Sequence, residues 1–136
     1  MIMMSELLQN KEVKDLSQPI KLNLLQLHTN INQIRAAYGK PMTVTSCIRT
    51  IADQLRIYKA KGITDQTKIP MKSKHLYAQA VDIADPDGEL YKWAKANPKA
   101  LEEANMWCEE GTKGWVHFQC VPFNSWEIGK SRWFLP

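Results

Sequence analysis

Two histidines and an aspartate form a set that could hold a metal ion. His75 and Asp82 lie in the stretch Ser73-Lys74-His75-Leu76-Tyr77-Ala78-Gln79-Ala80-Val81-Asp82, and His117 follows in Trp115-Val116-His117. Two imidazoles and a carboxylate suit zinc, and a catalytic zinc takes three protein ligands while keeping a fourth position for water or substrate. A structural zinc more often takes four protein ligands, with cysteines in short-spaced pairs, and this chain has no CxxC. Spacing alone is thin support, because most histidines are packed or solvated residues. The set gains its weight from the sequence around it.

Ser73, His75, Ala80 and Asp82 resemble the Ser-x-His-x-x-Gly-x-Ala-x-Asp block of the zinc D-Ala-D-Ala carboxypeptidases and dipeptidases, a family with relatives among phage endolysins and the hedgehog domain. Ala78 stands where that family usually has Gly. Upstream, Ser46-Cys47-Ile48-Arg49-Thr50 matches the family's Ser-x-x-Arg-[Ser/Thr] block, with Gln54 in a familiar place. Downstream, Trp115-Val116-His117 matches its Trp-x-His element. The three blocks keep the family order and span roughly residues 20 to 121.

The resemblance implies an α+β fold of the hedgehog/DD-peptidase type, with helices packed on a small antiparallel sheet. It implies Zn²⁺ held by His75, Asp82 and His117, and a peptidoglycan stem peptide as substrate. Arg49 would bind the substrate carboxylate or polarise its carbonyl, through a planar guanidinium fork that lysine cannot copy. Ser73 would bind substrate or lie beside the ligands. A zinc in such a set acidifies water and polarises the scissile carbonyl. The other reading of Arg49 is a surface or capping residue.

These residues must be positioned by the elements between them. A first short helix is expected at Ser5–Asn10, with Ser5 as its cap. A long helix opens at Pro19 or Ile20, where Leu24, Leu27, His28, Ile31, Ile34 and Tyr38 recur at spacings of three and four. His28 sits on that apolar stripe and reads as a packed or edge histidine. Gly39 ends the helix and Pro41 prevents its continuation. Residues 42–46 read as a β-branched strand, and Thr50 caps a helix from Ile51 to Lys61.

Residues 62–74 show no period and read as a loop facing the substrate, or as a plain connection. Gln79–Ala84 alternates as a strand, with Val81 and Ile83 on one face and Asp82 on the other. After the turn at residues 85–88, helices are expected at Glu89–Ala96 and from Pro98 to Ala104. A hairpin then joins Asn105–Glu109 to Trp115–Val121 through Gly111 and Gly114. In the simplest register Cys108 opposes His117 and Glu110 opposes Trp115. That would put Glu110 on the His117 face, with Val116, Phe118 and Trp107 in the core. The apolar tail, residues 131–136, is expected to dock on the body.

The general base is where the chain departs from the family. Many members carry Glu or Asp three residues before the last His, and here that position is Gly114. Others have Asp two residues after it, and here that is Gln119. Glu110 is the first candidate to replace them, with Glu109 and Asp85 behind it, because a base must come within hydrogen-bond reach of the water it deprotonates.

Composition bounds the rest. The 136 residues are 44% hydrophobic and 24% charged, enough to bury a core as one domain, 1–136, without disulfides. Net charge is +4 and pI about 9.0, a mild basic balance that suits an anionic cell-wall polymer and equally a solvated surface. Lys and Arg are scattered, with no basic helix or aromatic stacking motif, which speaks against nucleic acid. Cys47, Cys108 and Cys120 are odd in number and irregularly spaced, and read as reduced, buried thiols.

No run approaches the ~18 apolar residues of a spanning helix, and the N-terminus lacks the apolar core of a signal peptide. The chain is expected to be cytoplasmic as synthesised and to act at the cell wall after release or within a phage particle, beside virion proteins. Two classes of function stay open. One is a zinc peptidase, carboxypeptidase or endopeptidase, acting on peptidoglycan stem peptides. The other is a catalytically silent module that keeps the fold for binding or structure. A cysteine hydrolase built on Cys108 or Cys120 with His117 is a distant third.

Overall fold

Leu24, Leu27, Ile31 and Ile34 form the buried stripe of α2 (Gln18–Tyr38), the longest helix in the computed structural model of the chain. The structure describes residues 1–69, 73–122 and 131–135. Ser17 starts α2, its hydroxyl accepting the N–H of Ile20. Gly39 ends it at φ 76°, donating its N–H to the carbonyl of Arg35. The preceding helix, α1 (Met4–Leu8), begins earlier than the expected Ser5 cap, with the Met3 N–H donated to the Glu6 carboxylate. His28 is the edge histidine expected: its Nε2 lies 2.9 Å from the Ile2 carbonyl and ties the N-terminal segment to α2.

The strands are β1 (Val44–Ser46), β2 (Ala80–Asp85), β3 (Trp107–Glu109), β4 (Gly114–Gln119) and β5 (Trp133–Phe134), in the spatial order β1-β2-β4-β3-β5. The expected α+β architecture is present, but the sheet is mixed rather than purely antiparallel, because β5 runs parallel to β3. The apolar tail docks as this edge strand: Cys108 donates its N–H to Arg132 and Glu110 donates to Phe134. Pro136 lies outside the described residues. Val81, Ile83, Val116 and Phe118 point to the helical side of the sheet and are fully buried, with Leu27, Ile31, Leu101 and Met106 in the same core cluster.

The remaining helices are α3 (Ile51–Ala60), α4 (Glu89–Ala96) and α5 (Pro98–Ala104). At the start of α3, Thr50 and Asp53 form a reciprocal capping box. Hydrogen bonding from Thr50, reinforced by Lys11, holds the Asp53 carboxyl down at about 2 despite its partial burial. The stretch 62–74 is not structureless: Gln66–Lys68 makes a 3-10 turn, and Lys74–Tyr77 makes another that carries His75. Residues 70–72 of that stretch, Pro70 included, lie outside the described residues.

One register differs from expectation and changes the site. Trp107 pairs with Gln119 and Cys108 with Phe118, so the β3–β4 turn takes up one residue more than the simplest hairpin. Gly111 at φ 80° and Gly114 at φ 90° supply the left-handed backbone that this turn requires. A slip of one residue sends every β3 side chain to the other face. Cys108 enters the core opposite Phe118. Trp107 moves to the His117 face, where the Arg132 guanidinium lies 4.1 Å from its ring centroid. Glu110 turns towards α4, bonded to Lys95 and Tyr91.

Ala78 follows the Lys74–Tyr77 turn at φ 55°, ψ 37°, fully buried. That left-handed conformation costs a non-glycine residue about 1–2 kcal/mol, while its buried methyl contributes about 0.8 kcal/mol. The two terms largely offset. Ala78→Gly is therefore expected to change unfolding free energy by less than about 1 kcal/mol, measured by denaturant titration; a loss of several kcal/mol would show that the methyl carries a packing role beyond its area.

Candidate metal centre

Three adjacent strands set Ser46, Asp82 and His117 side by side, since Ser46 pairs with Asp82 and Asp82 with His117. An irregularity in the β1–β2 ladder between Val44 and Ser46 bends the chain there, as bulges do next to sites. It leads the backbone through Cys47 and Ile48 to Arg49, whose N–H donates to the His75 carbonyl at 3.1 Å. The turn carrying His75 is closed by Ser73, whose hydroxyl accepts the His75 N–H at 3.3 Å. Thus His75, brought from a turn, joins Asp82 and His117, brought from neighbouring strands.

One ligand atom from each of His75, Asp82 and His117 lies within 4.8 Å of the others. His75 Nε2 is 3.2 Å from one Asp82 oxygen, and His117 Nδ1 is 2.9 Å from the other. The second nitrogen of each ring is already bonded: His75 Nδ1 to the Cys47 carbonyl at 2.7 Å, and His117 Nε2 to Gln119 Oε1 at 2.9 Å. Both outer partners are acceptors, so the outer nitrogens carry the protons. Without an ion the inner nitrogens face Asp82 as hydrogen-bond donors, and giving up those inner protons leaves the tautomer pair a metal requires.

Burial alone would raise the Asp82 carboxyl, but hydrogen bonds from His117 and His75 outweigh it and hold it well below the usual carboxylate range. Burial pulls His117 down, and the Asp82 carboxylate more than reverses this, so its imidazole is raised above the ordinary value. The cluster is thus an ionised carboxylate between two imidazoles, a donor set of two nitrogens and one or two oxygens. A divalent cation fits it, replacing the protons that His75 and His117 share with Asp82.

Arg49 reaches the same place. Its Nη2 lies 3.7 Å from Asp82, Nε donates to Ser46 Oγ at 3.2 Å, and Nη1 to Gln54 Oε1 at 3.5 Å. Ser73 serves the backbone of His75 rather than pointing a free hydroxyl at the cluster. Glu110 does not join it, for the register reason given above. Asp85 is withdrawn as well: its two oxygens accept the N–H groups of Leu90 and Tyr91 at 2.9 Å each, starting α4.

The acid that shares the His117 face is Glu109. Continuing the β3–β4 register by one residue sets it beside His117, its charge helps raise the His117 imidazole, and it pairs across β5 with Phe134. The Phe134 ring lies 6.1 Å from the His117 ring. Trp115, two residues before His117 on the same face, stays exposed. Glu109 thus takes the place on the His117 face that the simple hairpin register assigns to Glu110, and Gln119 shares that face.

Backbone conformation, not crowding, opposes an acid at Gly114. At φ 90° any side chain there is strained, even though no atom blocks a Cβ. The cysteines supply no nucleophile. Burial pushes Cys47 up to about 12, Cys120 up to about 11 and Cys108 well above its ordinary value, so all three stay protonated thiols. A cavity of about 260 Å³ is lined by Arg49 with Ile48, Ile51, Leu76 and Tyr77. A larger one, about 380 Å³, lies by Asp85, Tyr91 and Thr112, and neither cavity is lined by any of the three ligand residues. No helix among the described residues is long and apolar enough to cross a membrane.

No curated protein sequence matches the chain. A crystal structure of Serratia marcescens L-Ala D-Glu endopeptidase ChiX is similar at a TM-score of 0.50 and 23% identity, over 84% of this chain and 95% of that one. At this identity the likeness shows the fold. The peptidase M15 family model matches residues 3–119, a span that contains Arg49, the three clustered ligands and Glu109. The chain belongs to the peptidase M15 family.

Proposed function

We propose that the protein is a zinc peptidase that hydrolyses an amide bond in peptidoglycan stem peptides. The observation that carries this reading is the His75–Asp82–His117 cluster, with one ring nitrogen of each histidine turned to Asp82 and Arg49 beside it, in a chain of a peptidase family. Two imidazoles and a carboxylate are the donor set of an open zinc site. Zinc there would supply Lewis acidity towards the scissile carbonyl and the attacking water. Glu109 takes the proton of that water and later returns it to the leaving amine, which a carboxylate on the His117 face is placed to do. Arg49 holds the substrate carboxylate next to the scissile bond, and the apolar cavity along Arg49 fits a small side chain such as the methyl of alanine.

A carboxylate beside an alanine occurs both in a D-Ala-D-Ala terminus and at an L-Ala–D-Glu bond, the bond named for the similar Serratia enzyme. Mass spectrometry of a pentapeptide-bearing muropeptide incubated with the zinc-loaded protein separates the two. Loss of the terminal D-Ala marks a carboxypeptidase, and release of a peptide beginning at D-Glu marks an endopeptidase. Intact substrate over several peptidoglycan types would favour the silent binding module, to which the missing acid at Gly114 points.

Arg49→Lys tests the anchor. The charge remains but the two-point fork is lost, so KM is expected to rise about tenfold or more, on the scale of one charge-assisted hydrogen bond at about 1.5–3 kcal/mol, with zinc content unchanged. An Arg49→Lys enzyme with native KM and kcat would remove the role.

A further inference from the structure

We infer that Gln119 is a positioning residue for the metal centre, holding His117 in the form that presents Nδ1 to the ion. The inference rests on the metal reading of this cluster. His117 sits in mid-strand on β4 and has two nitrogens to offer: Nδ1 faces Asp82 at 2.9 Å and Nε2 faces Gln119 Oε1 at 2.9 Å. Which one is bare depends on which end of the Gln119 amide it meets.

That end is fixed by a third group. Gln119 Nε2 donates to the Val121 carbonyl at 2.8 Å, and the side chain is almost wholly buried, at 2% exposure. Turning the amide over would set its oxygen against the Val121 carbonyl and its NH₂ against His117, placing two acceptors in contact in a water-poor site. The Val121 carbonyl therefore orients the amide, the amide oxygen accepts the hydrogen bond of Nε2–H, and the Nδ1 lone pair is left for the metal. His75 is treated the same way by a different device, since its Nδ1 donates to the Cys47 carbonyl and leaves Nε2 facing Asp82. The site thus uses opposite nitrogens of its two histidines, each selected by a carbonyl oxygen outside the ligand set.

Outer partners of metal-bound histidines are worth about 10–100-fold in metal affinity. Zinc alone is the probe, titrated into the metal-stripped chain in competition with a chromophoric chelator. Gln119→Met fills the same volume without an acceptor, and its zinc Kd is expected to be about 10–100-fold weaker than wild type. Gln119→Asn keeps the amide but draws it back by one methylene; it is expected to weaken zinc in the same way and serves if the Met variant does not fold. The ¹⁵N spectrum of the zinc-loaded wild type should show His117 bonded to the metal through Nδ1 with a protected Nε2–H, and that proton should lose its protection in the folded variant. A folded variant that binds zinc within about twofold of wild type, or a zinc-loaded wild type carrying the proton on Nδ1, overturns the inference. A wild type that binds no zinc overturns the metal reading itself, which separates the two failures.

Discussion

Glu109→Gln is expected to lower turnover of a stem-peptide substrate by about 10²–10⁴-fold, the span that a positioned general base contributes, while leaving about one zinc bound per chain. The amide keeps the size and polarity of the carboxylate but cannot take up a proton. Glu110→Gln is the matched control. Glu110 pairs with Lys95 and Tyr91 on the α4 side of the sheet, and a half-exposed pair of that kind is worth only about 0–1 kcal/mol of stability. Its turnover should stay within about twofold of wild type, because nothing in the proton transfer passes through it. The pair of variants distinguishes the observed β3 register from the one expected of a simple hairpin. Native kcat in Glu109→Gln would remove that residue as the base, and collapse of kcat in Glu110→Gln alone would reinstate the other.

Removing a ligand should have a still broader effect. His75→Ala takes one of three donors from the cluster, and the remaining His117–Asp82 pair leaves the ion mostly to water. Zinc should be lost at chelator concentrations that the wild type survives, and turnover with it. Lewis-acid assistance worth several kcal/mol, at about 1.36 kcal/mol per tenfold, makes the loss about 10³-fold or more. The fold should survive, though not untouched. His75 is buried and its Nδ1–H is the partner of the Cys47 carbonyl, so the variant leaves an acceptor unpaired at about 1–3 kcal/mol. Elemental analysis and circular dichroism on the same sample separate the two effects. Retained zinc in a folded His75→Ala chain would exclude His75 as a ligand.

The cluster was legible because three short blocks that resemble a known family surround its residues, which their types and spacing alone would not have singled out. Helix α2 was legible too, since its apolar stripe and its terminal glycine agree with one another, while its Ser17 cap appears only in the structure. What escaped depended on single-residue geometry. The β3–β4 register turned on one extra residue in a glycine-bearing turn, and that slip exchanged Glu109 for Glu110 on the site face. β5 is two residues long and pairs with a strand some distance back in the chain, so no period could announce it; only the apolar tail hinted at docking. The orienting partners of His75 and His117 were hidden for another reason. One is a backbone carbonyl at Cys47, which has no residue signature, and the other is a glutamine whose amide direction is set by the Val121 carbonyl.

The most direct test of the account is to titrate zinc into the metal-stripped chain while following peptide release from purified peptidoglycan. The account predicts no release without zinc, a rise on addition, and saturation at about one zinc per chain, the stoichiometry of a single three-ligand site. Hydrolysis that proceeds undiminished in the stripped protein, or a chain that binds zinc at one equivalent equally well after His75, Asp82 and His117 are all replaced by alanine, would contradict it.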